Sequence, residues 1–116
     1  SLRDQSHPLI HTIGTGCSDS LSWNLHSPQG IFVDISQDLF VADYGNDRIQ
    51  LFHFGQSNGT SIVGNGSNVN VSLNGPISVI LDANHHLFVS DSNNHRIIRF
   101  DGQNVQHIIG SPGSFG

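Results

Sequence analysis

The sequence predicts an all-β chain built from repeated units of four short antiparallel strands. Three observations carry that prediction. Residues 25–52 recur as residues 73–100 with no insertion, a period of 48 (73 − 25). Within each unit, runs rich in β-branched and aromatic residues alternate with segments rich in Gly, Asn, Asp and Ser, the pattern of strands and turns. No stretch sustains a helical apolar period.

The elements follow in order. Pro28-Gln29-Gly30-Ile31-Phe32-Val33-Asp34 falls on Pro76-Ile77-Ser78-Val79-Ile80-Leu81-Asp82. A Pro-x-Gly turn opens this segment, and Ile31–Asp34 reads as the first strand. Leu39–Asp43 is the second strand, after the polar segment 35–38, and falls on Leu87–Asp91. Arg48–Phe52 is the third, after the turn 44–47, and falls on Arg96–Phe100. Thr60–Val63 is the fourth, closed by Gly64-Asn65-Gly66. Twice the period places His11, Ile13 and Gly14 on His107, Ile109 and Gly110. The expected organisation is therefore a C-terminal half-unit at 1–20, a first full unit at 21–66 and a second at 67–116. Several strands are apolar on successive residues, which implies that protein covers both sheet faces. Radially stacked sheets satisfy this, and a four-stranded repeat of this length is the pattern of a β-propeller blade.

Composition narrows the partners. The chain has 116 residues, four Lys plus Arg against nine Asp plus Glu, and a net charge of −5. Nucleic-acid affinity rests on Lys and Arg neutralising phosphates, so that class is excluded, as is a polybasic membrane contact. No apolar run reaches the length of a spanning helix. Methionine is absent, and the expectation is a piece of something longer. Cys17 is the one cysteine. It reads as a half-buried small residue or as a thiol for another chain, and no intrachain disulfide exists.

Pro28-x-Gly30-Ile31-x-Val33-Asp34, followed by Leu39-Phe40-Val41-Ala42-Asp43-x-x-Asn46-x-Arg48-Ile49, resembles the NHL repeat of six-bladed β-propellers. The second copy, Pro76 to Phe100, is similar, including Asp91-x-x-Asn94-His95-Arg96-Ile97. Two positions depart from the family pattern. Its first-hairpin glycine is Gln37 or His85 here, and the Pro-x-Gly glycine becomes Ser78 in the second copy. Asp43, Asn46 and Arg48, with Asp91, Asn94 and Arg96, invite reading as a catalytic pair or ligand clamp. They occur in both units, whereas a catalytic residue breaks a repeat. They are expected to be structural: Asp or Asn capping the turn, and Arg reaching across it or to the next blade.

The loops between second and third strands and between blades share one face in this architecture. That face carries Tyr44, Asn46, Asp47, Asn93 and His95, the expected ligand-binding residues for a protein or glycan. RNA is disfavoured because basic residues are lacking there, as are stacking aromatics apart from Tyr44. Asn58, Asn65 and Asn70 head three Asn-x-Ser/Thr sequons. They are glycosylation candidates, and used sequons would place the parent outside the cell. Eight His residues show no zinc-ligand spacing, so no metal and no cofactor are expected. His26, His85 and His95 are the ones that ring symmetry could bring to an axis. Trp23 reads as a plug between blades or as a ligand platform.

Two and a half blades leave two apolar faces open, and repeat units need neighbours to bury a continuous core. The expectation is a non-catalytic binding or scaffold module that self-assembles head to tail, with three chains supplying six blades. Residues 1–14 and 97–110 would compete for one place, and one set would act as a clasp. The alternative is part of a metal-dependent, lyase-type NHL propeller enzyme.

Overall fold

The computed structural model of the chain describes residues 13, 14, 21, 24–69 and 71–110. Two four-stranded antiparallel sheets follow one another, each a simple meander. The first contains β1 (Pro28–Val33), β2 (Leu39–Asp43), β3 (Arg48–Phe52) and β4 (Thr60–Gly64). The second contains β5 (Pro76–Leu81), β6 (Leu87–Asp91), β7 (Arg96–Phe100) and β8 (Val105–Gly110). Each expected strand is present within a few residues of its bounds. The half-unit at 1–20 lies outside the described residues except for Ile13 and Gly14, and so do Cys17, Trp23 and Asn70.

The repeat extends to the irregularities. Register shifts fall at Pro28/Gly30 and at the equivalent Pro76/Ser78, and again at Ile49/Gln50 and Ile97/Ile98. An extra residue in one strand increases local twist. A single 3-10 turn joins the middle strands of each sheet, Tyr44–Asn46 in one and Ser92–Asn94 in the other. In the first hairpin turns, Gln37 and His85 take the left-handed conformation that the missing glycine would have favoured, with φ of 66° and 65°. Asp34 Oδ1 accepts the Asp38 N–H at 2.9 Å, and Asp82 Oδ1 accepts the His86 N–H at 2.9 Å, which holds both turns.

The two sheets share one core. Phe40, Ala42, Ile49 and Val63 of the first meet Val79, Leu87, Val89, Ile98 and Phe100 of the second, with Leu73 of the connecting segment between them. Strand β5 lies across β1, β2 and β3. At Gly30 the backbones of the two sheets approach closely. A Cβ there would sit 2.5 Å from the Ile77 carbonyl oxygen and 2.9 Å from Ser78 Cα. Backbone atoms on both sides cannot step aside as a side-chain tip would. Gly30→Ala is therefore expected to lower stability by about 1–3 kcal/mol, the usual range for overpacking. Urea unfolding checks this, and a midpoint equal to wild type would contradict it.

Candidate functional site

Each sheet carries one buried polar cluster, built by the end of its second strand. Asp43 and Asp91 are fully buried. Asp43 Oδ1 accepts the His26 N–H at 2.7 Å, and its Oδ2 accepts from Asn46 Nδ2 at 2.9 Å and Arg48 Nε at 2.8 Å. Arg48 Nη2 then donates to the carbonyls of Leu21 and Asn24, at 3.1 and 2.8 Å. The second sheet repeats this. Asp91 accepts from Asn74 N at 2.7 Å, Asn94 Nδ2 at 2.8 Å and Arg96 Nε at 2.8 Å. Arg96 Nη2 donates to the Ser72 carbonyl at 2.7 Å.

This differs in one respect from the sequence expectation. Neither Asp makes a side-chain cap to its 3-10 turn. The carboxylate instead grips the backbone segment entering its own sheet, 17 residues upstream. Arg grips the same segment by its carbonyls. Backbone polar groups must find partners somewhere, and the Asp–Arg pair supplies them at Leu21, Asn24 and His26 in one sheet and at Ser72 and Asn74 in the other. Asp43, Arg48 and Asp91 are buried, Arg96 is partly exposed, and all four bond protein atoms.

The five residues expected on the ligand face do share the end formed by the 3-10 turns and the incoming connections. Gly45 N–H bonds the His26 carbonyl at 2.7 Å, and Asn93 N–H bonds the Asn74 carbonyl at 3.0 Å. Asn46 bonds Asp43, and Asp47 Oδ1 accepts the Gly75 N–H at 2.9 Å, tying the first sheet to the connection that enters the second. Asn93 Nδ2 donates to Asn74 Oδ1 at 3.2 Å. Tyr44 is half-buried against Gly75, and His95 is exposed. His26 belongs to this end, whereas His85 sits in a first-hairpin turn at the other. Among the described residues no three His, Cys, Asp or Glu side chains gather closely enough to hold a metal, and no helix is long and apolar enough to cross a membrane. Asn58 and Asn65 are exposed, one before and one after the five-residue strand β4.

The opposite end opens into a cleft of about 590 Å³ between the sheets. Phe40, Leu87 and Phe100 form its floor, with Asp34, Asp38 and His85 around it. The backbone N–H of Phe54 and then the His53 ring hold the Asp38 carboxyl below its ordinary 3.8. Asp82 is lowered chiefly by the His86 N–H, and Asp101 chiefly by the Asn104 N–H. For a lowered carboxylate, the stabilising contribution is present above the unfolded value and is lost as pH falls through the folded one. Acid should therefore loosen this end, and the amide resonances of Phe54, His86 and Asn104 should titrate with midpoints below 3.8. Midpoints at or above that value would contradict the bonding described.

The most unusual surfaces are the two ends of the stack. Val79 on β5 is 1% exposed because the first sheet covers it, while its equivalent Ile31 on β1 is 65% exposed. Leu81 is half-buried, and its equivalent Val33 is 54% exposed. At the trailing end the order inverts. Val63 pairs with Ile49 and is buried, whereas Ile109 pairs with the equivalent Ile97 and is 61% exposed. Phe32 packs on the core, and its equivalent Ile80 is 54% exposed. Sequence reasoning expected two open faces but did not name Ile31, Val33 or Ile80 on them. Ile13 lines a small hollow with Val33, Leu39 and Phe54 at the leading end; the rest of the expected clasp lies outside the described residues.

No curated protein matches the chain. The family model of the NHL repeat matches residues 73–100, from core residue Leu73 through β5, β6 and β7 to core residue Phe100. The 48-residue repeat and the duplicated Asp–Asn–Arg geometry tie the first sheet to that segment. The chain thus contains an NHL repeat, and its two sheets are consecutive blades of a β-propeller-type fragment.

Proposed function

We propose that this chain is a non-catalytic binding and scaffold module that completes a propeller by stacking head to tail on copies of itself. The observation that carries the reading is the contrast between equivalent residues. Ile31 is open where Val79 is closed, and Ile109 is open where Val63 is closed. Each open face matches one side of the junction already formed inside the chain. Apolar patches of this kind mark interaction surfaces, and a head-to-tail contact closes into a ring when its rotation allows. Three chains of two blades give the six blades that the family resemblance implies. The polar end around Tyr44, Asn93 and His95 would then face a protein or glycan ligand.

The test is the solution mass, by light scattering on a sizing column. A mass near three times 12.5 kDa is expected. Another closed multiple would overturn the count of three and keep the stacking, while a folded monomer at all concentrations would overturn the ring. Elemental analysis of the folded protein is expected to find no stoichiometric zinc or calcium. A stoichiometric metal would bring back the lyase-type reading.

A further inference from the structure

Resting on that reading, we infer that the joint between two copies is looser than the joint inside the chain, and that its surfaces are shaped for a second copy of this chain.

Within the chain, the absence of a Cβ at Gly30 lets β1 and β5 approach until backbone nearly touches backbone. Across a joint between copies, the residue in that role is Ser78, which is exposed. Its Cβ would point at the Gln29 carbonyl and Gly30 Cα of the next copy. Both are backbone atoms, so the same close approach is barred and the strands must stand farther apart. The connection end is altered as well. Within the chain, the Asp47 carboxylate accepts the Gly75 N–H. Across the joint the counterparts are His95 and Ser27, and an ionised acceptor makes the stronger hydrogen bond.

The same end identifies the occupant. Gly75 is hemmed in: a Cβ there would lie 2.8 Å from Tyr44 Cε2 and 2.5 Å from Asn93 Nδ2. Its counterpart Ser27 has a Cβ and takes nearly the same backbone conformation, with φ of 55° against 62°. Within the first blade the residue equivalent to Asn93 is Gly45, which has no side chain to crowd Ser27. On the preceding blade it would meet the counterpart of Tyr44, which in a second copy is Ser92. The bulk added by Ser27 is matched by bulk removed at Ser92. A preceding blade that kept a tyrosine there would press its ring on Ser27, so the surface fits this chain's own second blade.

The experiment measures the dissociation constant of the assembled full-length chain by dilution, with the urea midpoint of each variant as a check on folding. Ser78→Gly should lower the constant about tenfold, the reverse of a modest overpacking cost, and Ser78→Ala, which keeps the Cβ, should stay within about twofold of wild type. Equal constants for Ser78→Gly and wild type would overturn the loose joint while leaving self-assembly intact. Ser92→Tyr should raise the constant about tenfold, and adding Ser27→Gly should restore it. Failure of that rescue would overturn the size match, whether or not Ser92→Tyr also weakens the fold. A wild-type chain that never assembles would overturn both this inference and the proposed function.

Discussion

Asp43→Ala is expected to destabilise the chain by about 3–5 kcal/mol, the range for stripping one partner from a buried ion pair. The variant removes three acceptor contacts at once: those from His26 N–H, Asn46 Nδ2 and Arg48 Nε. The greater loss is what stays behind. Arg48 has a side chain only 5% exposed, and without Asp43 its buried charge would lose the carboxylate that faces its Nε at 2.8 Å. A small domain has about 5–15 kcal/mol in total, so this one change should bring the chain close to unfolding at room temperature. Asp91→Ala should cost less. The contacts are equivalent, but the Arg96 side chain is 15% exposed and can turn toward water. Urea titration followed by circular dichroism would rank the two. Equal losses would show that carboxylate contacts, rather than the stranded arginine, set the cost. A loss below about 1 kcal/mol for Asp43→Ala would place the pair among surface salt bridges in effect, contrary to its burial.

The strands of this protein were legible because the chain states each of them twice. Leu39–Asp43 and Leu87–Asp91 are short and apolar on successive residues, which in isolation suits a buried strand or a piece of helix. Their recurrence in register between Gly- and Asn-rich turns removes the ambiguity. The recurrence of Asp43 and Arg48 as Asp91 and Arg96 was visible by the same logic. Their target was not, because Arg48 bonds the carbonyls of Leu21 and Asn24 and a backbone carbonyl leaves no mark in a sequence. Asp47 was harder still. It was assigned to a ligand face, yet its carboxylate holds Gly75. The second unit has His95 there, so repetition offered no hint that the position tied one blade to the next. The open faces were foreseeable only as a count of blades. Ile31 and Val79 are residues of one kind on equivalent strands, and only the neighbouring sheet makes one exposed and the other buried.

Ile31→Asp and Ile109→Asp should each abolish assembly, and an equimolar mixture of the two should form a heterodimer that grows no further. Head-to-tail stacking joins the trailing face of one copy to the leading face of the next. Ile31→Asp spoils the leading face and leaves the trailing face sound, while Ile109→Asp does the reverse. Burying an unpaired carboxylate costs several kcal/mol or forces its protonation, enough to eliminate any joint that contains the substituted face. Mixing the two proteins leaves one joint without an aspartate, between the trailing face of the first and the leading face of the second. The next joint in either direction would contain a substituted face, so a mass near twice 12.5 kDa is the ceiling. Both substitutions sit on exposed strand positions and should leave each chain folded, which circular dichroism would verify. A face-to-face dimer behaves differently, because an isologous contact uses one patch from both partners. If leading faces paired with each other, Ile109→Asp would still self-associate and Ile31→Asp would not. Trailing-face pairing would give the opposite result. Either pattern would refute head-to-tail stacking, since that geometry requires two variants that are each monomeric alone and joined when mixed.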